Sequence, residues 1–357
     1  MLRKSRQDPL VREFILRNVG NHPTSIVSLT MGEFARSRPT ILGYVEKLVR
    51  EGLLSFSGKT SARRYKLKPQ VEETYTLSID YLWNEDTVWR EKIFPLMNGR
   101  VKQNIIELCQ YGFTEMLNNV LAHATSQDVF ILYRQTYTHV EMMVIDRGVG
   151  IFKKIQKDFN LADPRTALLE LSKGKLTSDK RNHAGEGIYF TSRMFDRFQI
   201  RSGNLFYSRA KRDGDDWLVE VNDRLADRKG TMVTMLIRTD AEWTTQDVFE
   251  KFRGDDLRFR KTHVPIKLAQ YPGEQFVSRS QAKRLLARFN DFSEVSLDFA
   301  DIEQIGQPFA DEIFRIFRRD HPEIAISIAN ANKAIMEMIA FVSDEKESQK
   351  ELDLFSK

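Results

Sequence analysis

Glu115, Asn119 and His123 recur at four-residue spacing in the stretch Phe113-Thr-Glu-Met-Leu-Asn-Asn-Val-Leu-Ala-His-Ala-Thr125. On an α-helix, residues so spaced stack along one face. Met116, Leu117, Val120 and Leu121 fall on the neighbouring faces and are ordinary core residues. The stretch therefore predicts a helix with one buried side and a carboxylate–amide–imidazole ridge on another. A ridge of that kind suits acid–base or metal chemistry. Taken alone, Glu115 and Asn119 are better explained as a capped, solvated helix face. Three further signatures follow downstream: Asp146-x-Gly148-x-Gly150 at the end of an apolar run, Gly185-x-Gly187 after a basic loop, and Gly230-Thr231. Each is weak by itself, because short glycine motifs arise by chance. Their order and context carry the information.

The elements that must position these residues can be read from periodicity. The main helix runs from about Val101 to Ala124 with Gly112 inside it. Residues 127–134 and His139-Val-Glu-Met-Met-Val-Ile-Asp146 read as strands, the second apolar enough to lie centrally in a sheet. Helices follow over 152–172, with Asp163-Pro164 starting the second piece, and from Ala184-Gly185 through Phe195; the segment 173–183 is a polar, basic loop. Segments 198–209, 216–222 and 230–238 read as antiparallel strands. Upstream, 69–98 reads as a connector without chemistry, and downstream 241–262 as a charged linker. A β-α-β-α order over 263–345 indicates a small α/β domain with a charged, frayed tail from Ser343.

With 357 residues the chain has length for two or three domains, and 41% hydrophobic against 29% charged residues is a composition that buries a sizeable core. The single Cys109 excludes an intrachain disulfide or a cysteine zinc site and reads as a buried thiol. No apolar run reaches the ~20 residues of a membrane-spanning helix. The basic start, Met-Leu-Arg-Lys-Ser-Arg, has no apolar stretch behind it, so no secretory signal is expected and the reading is cytoplasmic. Net charge is +5, unevenly placed: 14 basic against five acidic residues over 1–70 leave that end at +9 and the remainder at −4. A basic end on a slightly acidic body suits a polyanion-binding module.

That basic end reads as three helices, near 9–20, 26–35 and from Ser37 to Val49, then a hairpin around Gly58-Lys59. Ser37 is the expected N-cap of the third helix, with Pro39 in its first turn. The arrangement over 1–68 resembles the winged helix-turn-helix class. The resemblance implies DNA binding, with Arg38, Thr40 and Tyr44 entering the major groove and Lys59, Thr60, Arg63 and Arg64 of the wing meeting phosphates. A winged helix used only for protein contacts is the competing reading.

The four signatures over about 100–240 together resemble the N, G1, G2 and closing Gly-Thr boxes of the ATPase superfamily of gyrase, the ninety-kilodalton heat-shock chaperones, histidine kinases and the MutL mismatch-repair proteins. The resemblance implies a Bergerat-type α/β sandwich over 99–240, a mixed sheet covered on one face by helices, with ATP and Mg²⁺ under a mobile lid. It assigns Asp146 to the adenine amine, Gly148 and Gly150 to close approach of the base, and Thr231 to supporting Asp146 through its hydroxyl and a water. Asn119 becomes the Mg²⁺ ligand, Gly185 and Gly187 the phosphate-facing helix start, and Glu115 the general base. Lys173, Lys175, Lys180 and Arg181 become cations reaching the β- and γ-phosphates, and His123 packs behind the site. Arg147 stands where the family commonly has Asn.

The segment from Val295 to Phe314 resembles the STAS fold of anti-sigma-factor antagonists. Its strand–helix junction, Ile305-Gly-Gln-Pro-Phe309, carries no Ser or Thr to accept a phosphate, which favours a docking module for a protein partner. No phosphoacceptor His precedes a helical hairpin, so an ordinary two-component kinase is not expected. The expected protein is α/β (α+β) in class: an ATP-sensing or ATP-hydrolysing transcriptional regulator with a winged helix, an ATPase domain and a STAS-like domain. Paired DNA half-sites would go with a homodimer. The alternatives are an anti-sigma-type serine/threonine kinase and a non-hydrolysing ATP-gated binder.

Overall fold

The computed structural model describes residues 8–59, 62–79, 84–123, 125–161, 163–176, 185–211, 216–220, 229–254, 258–271 and 274–354. Thr60, Lys180 and Arg181 fall outside them, and so does the side chain of His123.

Helix α1 (Pro9–Asn18) starts where the Asp8 carboxylate accepts the Leu10 N–H at 3.0 Å, with proline in the first turn. Helices α2 (Ile26–Phe34) and α3 (Arg38–Arg50) follow, then a hairpin of β1 (Leu54–Ser57) and β2 (Arg64–Leu67). Val11, Ile15, Ile41, Val45, Leu48 and Leu54 close a core of their own. Ser37 precedes α3 as expected, but its hydroxyl meets that of Thr40 at 2.8 Å and caps no backbone N–H.

The next sheet begins earlier than the sequence reading placed it. The supposed connector contains β3 (Val71–Ser78), whose Val71, Tyr75 and Leu77 pack on the main core, and a helical run of α4 (Glu85–Val88), a π-helical segment (Trp89–Ile93) and α5 (Phe94–Met97). Alternating side chains in β3 were an overlooked strand signal. Helix α6 (Gln103–His123) carries the polar ridge. Strands β4 (Asp128–Gln135) and β5 (His139–Asp146) are followed by helices α7 (Ile151–Asp158), α8 (Pro164–Lys173) and α9 (Gly187–Met194). The single strand expected over 198–209 is a hairpin, β6 (Arg197–Ser202) and β7 (Leu205–Ala210), turning at Gly203 with φ +59°. Strands β8 (Asp216–Glu220) and β9 (Thr231–Arg238) complete a seven-stranded sheet in the order β3-β4-β5-β9-β6-β7-β8. Every pairing in it is antiparallel, so the expected mixed sheet is corrected.

Helix α6 lies on this sheet through Cys109, Phe113, Met116 and Leu117. Burial raises the thiol pKa of Cys109 well above its ordinary value, as a structural cysteine requires. Gly112 is the contact between α6 and α9, because a side chain there would enter the Phe195 ring.

The supposed linker also contains regular structure among its described residues. Helix α10 (Thr245–Phe252) opens with a Thr244–Asp247 capping box and buries Val248 and Phe252, the latter edge-on to Tyr189 at 5.2 Å. The last sheet is parallel, in the order β10 (Lys261–Pro265), β11 (Glu294–Asp298), β12 (Ala325–Ala329). It is wrapped by α11 (Arg279–Leu286), by α12 (Gln307–Asp311) with a π-helical continuation (Glu312–Phe317) into α13 (Arg318–Asp320), and by α14 (Lys333–Leu354). The last helix runs past Ser343, where fraying was expected. No helix among the described residues is long and apolar enough to cross a membrane.

Candidate functional site

A cavity of about 450 Å³ opens between α6, α7, the end of β5 and the start of α9. Its size falls within the range of small-molecule sites. Tyr111, Glu115 and Asn119 of α6 line one wall, at the four-residue spacing seen in the sequence. Asp146, Gly150 and Thr231 line the floor, and Gly185, Glu186 and Gly187 line the far wall. Three segments predicted from separate motifs therefore meet around one space.

Asp146 ends a row of inward-facing residues, Val140, Met142 and Val144, so strand alternation alone delivers its carboxylate to the buried side. Its residue is 4% exposed, and burial raises its pKa above the ordinary carboxylate value. The N–H of Gly148 donates to Oδ1 at 2.7 Å. The backbone N–H and hydroxyl of Thr231 also favour the ionised form, yet desolvation is the larger effect. Thr231 is itself fixed, since its Oγ1 accepts the Ile151 N–H at 3.0 Å. The hydroxyl expected to support Asp146 is thus turned toward the start of α7.

The glycines divide by what they allow. Gly148 works through its N–H. Gly150, with φ +85°, borders the cavity, and a Cβ on it would stand 2.6 Å from Ser202 Oγ. Gly230, with φ +88°, lies against the carbonyl oxygen of Asp146, where no side chain fits. A Cβ on Gly185 (φ +69°) would press on the Leu176 backbone at 2.6 Å. A Cβ on Gly187 would meet the Glu115 carboxylate. Glu115 therefore sits at the N-terminus of α9, where the helix dipole favours negative charge.

Not every predicted cation reaches the cavity. Lys173 is corrected: it is fully buried, its Nζ donating to Glu170 Oε1 at 2.7 Å and to the Ala287 carbonyl at 2.8 Å. Its place as the last residue of α8, facing the C-terminal domain, explains why charge alone misled. Lys175 Nζ donates to the Asp291 carbonyl at 2.6 Å and lies 4.8 Å from the Phe292 ring centre, directed at the C-terminal domain. Desolvation lowers its pKa.

Sequence reasoning overlooked Tyr111 and Glu186. Tyr111 precedes Glu115 by one more four-residue step, so the ridge periodicity held the signal. Its hydroxyl pKa is raised by burial and by the charges of Glu115 and Glu186. Glu186 sits between the two glycines, and burial raises its pKa against the pull of Lys175 and Arg253.

The N-terminal unit sits against the main body: Arg17 pairs with Asp240 at 2.8 Å and Tyr137 donates to Glu13 at 3.1 Å. Arg38, Thr40, Lys59 and Arg64 are exposed. Two other residues expected at nucleic acid have partners within the fold. The Tyr44 hydroxyl accepts the Asp8 N–H at 3.0 Å, and the Arg63 guanidinium lies 4.6 Å from the Phe56 ring centre.

An adenine nucleotide with Mg²⁺ fits these residues. The cradle is glycine-lined at Gly150 and Gly187, where a Cβ would find no room, and the donor set offers a buried carboxylate for a base amine and an amide oxygen for a hard cation. No curated protein matches the chain. Two family models do, each over part of it. Residues 281–336 match the STAS-like domain of unknown function, spanning α11, β11 and β12, and residues 96–205 match the histidine kinase-like ATPase domain. The chain thus carries a histidine kinase-like ATPase domain, of a kind that fits ATPase or kinase activity, joined to a STAS-like domain.

Proposed function

We propose that this chain is an ATP-dependent regulator that binds Mg-ATP in the α6–α9 cavity, hydrolyses or senses it there, binds DNA through residues 1–68 and docks a protein partner on its STAS-like domain. The observation that carries the nucleotide reading is Asp146, a buried carboxylate held by the Gly148 N–H at the edge of the cavity. A carboxylate offers about four acceptor sites, and the Gly148 N–H takes one of them. A site left over suits the exocyclic amine of adenine. Guanine would set a carbonyl against an acceptor and leave both without a donor.

On this reading Gly150 admits the base to the sheet edge. Asn119 offers its amide oxygen toward the metal, and bound Mg²⁺ supplies neutralisation of phosphate charge. The amides opening α9 at Gly187 face the phosphates. Glu115, one helical turn from Asn119, orients a water and takes its proton as general base. Calorimetric titration with ATP, ADP and GTP tests the reading. Adenine-selective binding that Asp146→Asn weakens supports it, while binding indifferent to the base or to that substitution removes it.

A second reading, a serine/threonine kinase acting on a partner protein, is favoured by the STAS-like match in the same chain. Labelled ATP incubated with candidate STAS proteins separates the two. Phosphate on the partner supports the kinase, and free phosphate alone supports the ATPase.

A further inference from the structure

Three consecutive carbonyls at the exit of α8 are held by the C-terminal domain. Thr262 Oγ1 donates to Lys173 O at 2.7 Å, and Arg288 Nη2 donates to Gly174 O at 3.0 Å and to Lys175 O at 2.7 Å. The other fork of Arg288, Nη1, reaches Glu170 Oε2 at 3.2 Å, and Glu170 Oε1 accepts the buried Lys173 ammonium. Arg288 holds this position from a backbone with φ +64°, a conformation L residues rarely adopt. Such a conformation persists only where the surroundings over-determine it.

The next residue is Leu176. Its N–H donates to Gly185 O at 3.2 Å, and its backbone lies where a Cβ on Gly185 would project. Leu176, Gly185, Glu186 and Gly187 all border the cavity. One side chain of the STAS-like module therefore fixes the segment that in turn fixes the opening of α9. A planar guanidinium can serve two carbonyls and a carboxylate at once; an ammonium lacks that fork.

We infer that Arg288 is a positioning residue for the phosphate-facing wall of the nucleotide cavity, supplied by the STAS-like domain. Whatever displaces Arg288 on binding that domain changes nucleotide affinity, and nucleotide changes the affinity of the domain for that binder by the same factor. The inference rests on the nucleotide reading above, and the experiment keeps the two apart.

The full chain is compared as wild type, Arg288→Ala and Arg288→Lys, with affinity for ADP and for adenosine measured by calorimetry and amide exchange of Leu176 by NMR. Arg288→Ala is expected to lose about tenfold or more in ADP affinity while adenosine stays within about twofold, because only the phosphate side moves. Exchange at Leu176 rises while amides of β5 and β9 keep their protection, and Arg288→Lys falls between. Arg288→Lys carries the comparison should the alanine variant not fold. ADP affinity unchanged in either folded variant overturns the inference and leaves the nucleotide reading intact. Parallel losses of ADP and adenosine also overturn it, since they report general loosening. A wild type that binds neither ligand overturns the proposed function, and this inference falls with it.

Discussion

The carboxylate of Glu115 fills the space into which a side chain on Gly187 would project. The polar ridge of α6 and the first residue of α9 are thus close enough that a side chain on Gly187 must move Glu115. Alanine favours a helix over glycine by about 1 kcal/mol, so Gly187→Ala should fold with an unchanged or slightly higher Tm. The new methyl nevertheless displaces Glu115. Turnover should drop by about 10²-fold or more, the scale of removing a general base, and should approach that of Glu115→Ala, while both variants still bind ADP. Single-turnover phosphate release beside calorimetric binding checks this. Wild-type turnover in Gly187→Ala would mean that the position of Glu115 is immaterial to hydrolysis.

Asp146 sets a pH dependence whose sign differs for stability and for binding. Burial raises its folded pKa above the unfolded value of about 3.9. Its contribution to stability is therefore fully present below that unfolded value and is lost as pH rises through the folded pKa. Nucleotide binding needs the ionised acceptor, so affinity should rise with pH across that same folded pKa. Asp146→Asn should flatten the profile and weaken adenine binding by about 1.5–3 kcal/mol, the worth of a hydrogen bond to a charged group. Calorimetry of ADP binding from acid to neutral pH reads both effects. A wild-type profile matching that of Asp146→Asn would remove Asp146 from the base contact.

Gly230 has no such flexible neighbour. Its φ is +88°, and the atom in the way of a side chain is the backbone carbonyl of Asp146. Gly230→Ala combines a positive φ with a backbone collision. It should cost about 1–3 kcal/mol for the strained conformation alone, and more for moving the β5 end. The expected outcome is a lowered Tm together with weakened nucleotide binding, because the displaced group is the carbonyl of Asp146, the residue proposed to meet the base. Thermal unfolding with and without ADP checks it; a Tm equal to wild type would show that the chain relaxes freely there.

How much of this was legible follows from what each signal reports. The ridge of α6, the end of β5 and the glycines before α9 were readable because each is a local pattern, and the cavity joins three such patterns. Tyr111 was readable by the same period and lay one step before the stretch that starts at Phe113. Lys173 and Lys175 were misread for a different reason. A lysine in a polar, basic segment looks like a phosphate ligand, and only the tertiary arrangement brings Glu170, Ala287 and Asp291 to the two ammonium groups. Strand β3 was missed because its glutamates and threonines made an edge strand look like a polar connector, although Val71, Tyr75 and Leu77 kept the period of two. The role of Arg288 has no local signature, since Glu170, Gly174 and Lys175 lie more than a hundred residues away.

The DNA reading makes the most demanding prediction, because the basic residues of the N-terminal unit are not equivalent. Arg38 opens α3 and is exposed, and Arg64 is exposed on β2. Arg63 is half-buried and lies on the Phe56 ring. A cation bound to phosphate releases counterions, so removing each such cation should lower the salt slope of log K by about 1. Arg64→Ala and Arg38→Ala should each weaken binding to duplex DNA, Arg64→Ala uniformly across sequences if it meets phosphate alone. Arg63→Ala should change the slope less and instead lower the stability of the unit by about 0.5–1 kcal/mol, because the Phe56 ring no longer has a cation over its face. Fluorescence anisotropy over a salt series, beside thermal unfolding of the same variants, separates these effects. A salt-independent affinity, or equal slopes for wild type, Arg38→Ala and Arg64→Ala, would leave the N-terminal unit as a protein-contact module, held to the body by Arg17–Asp240 and Tyr137–Glu13.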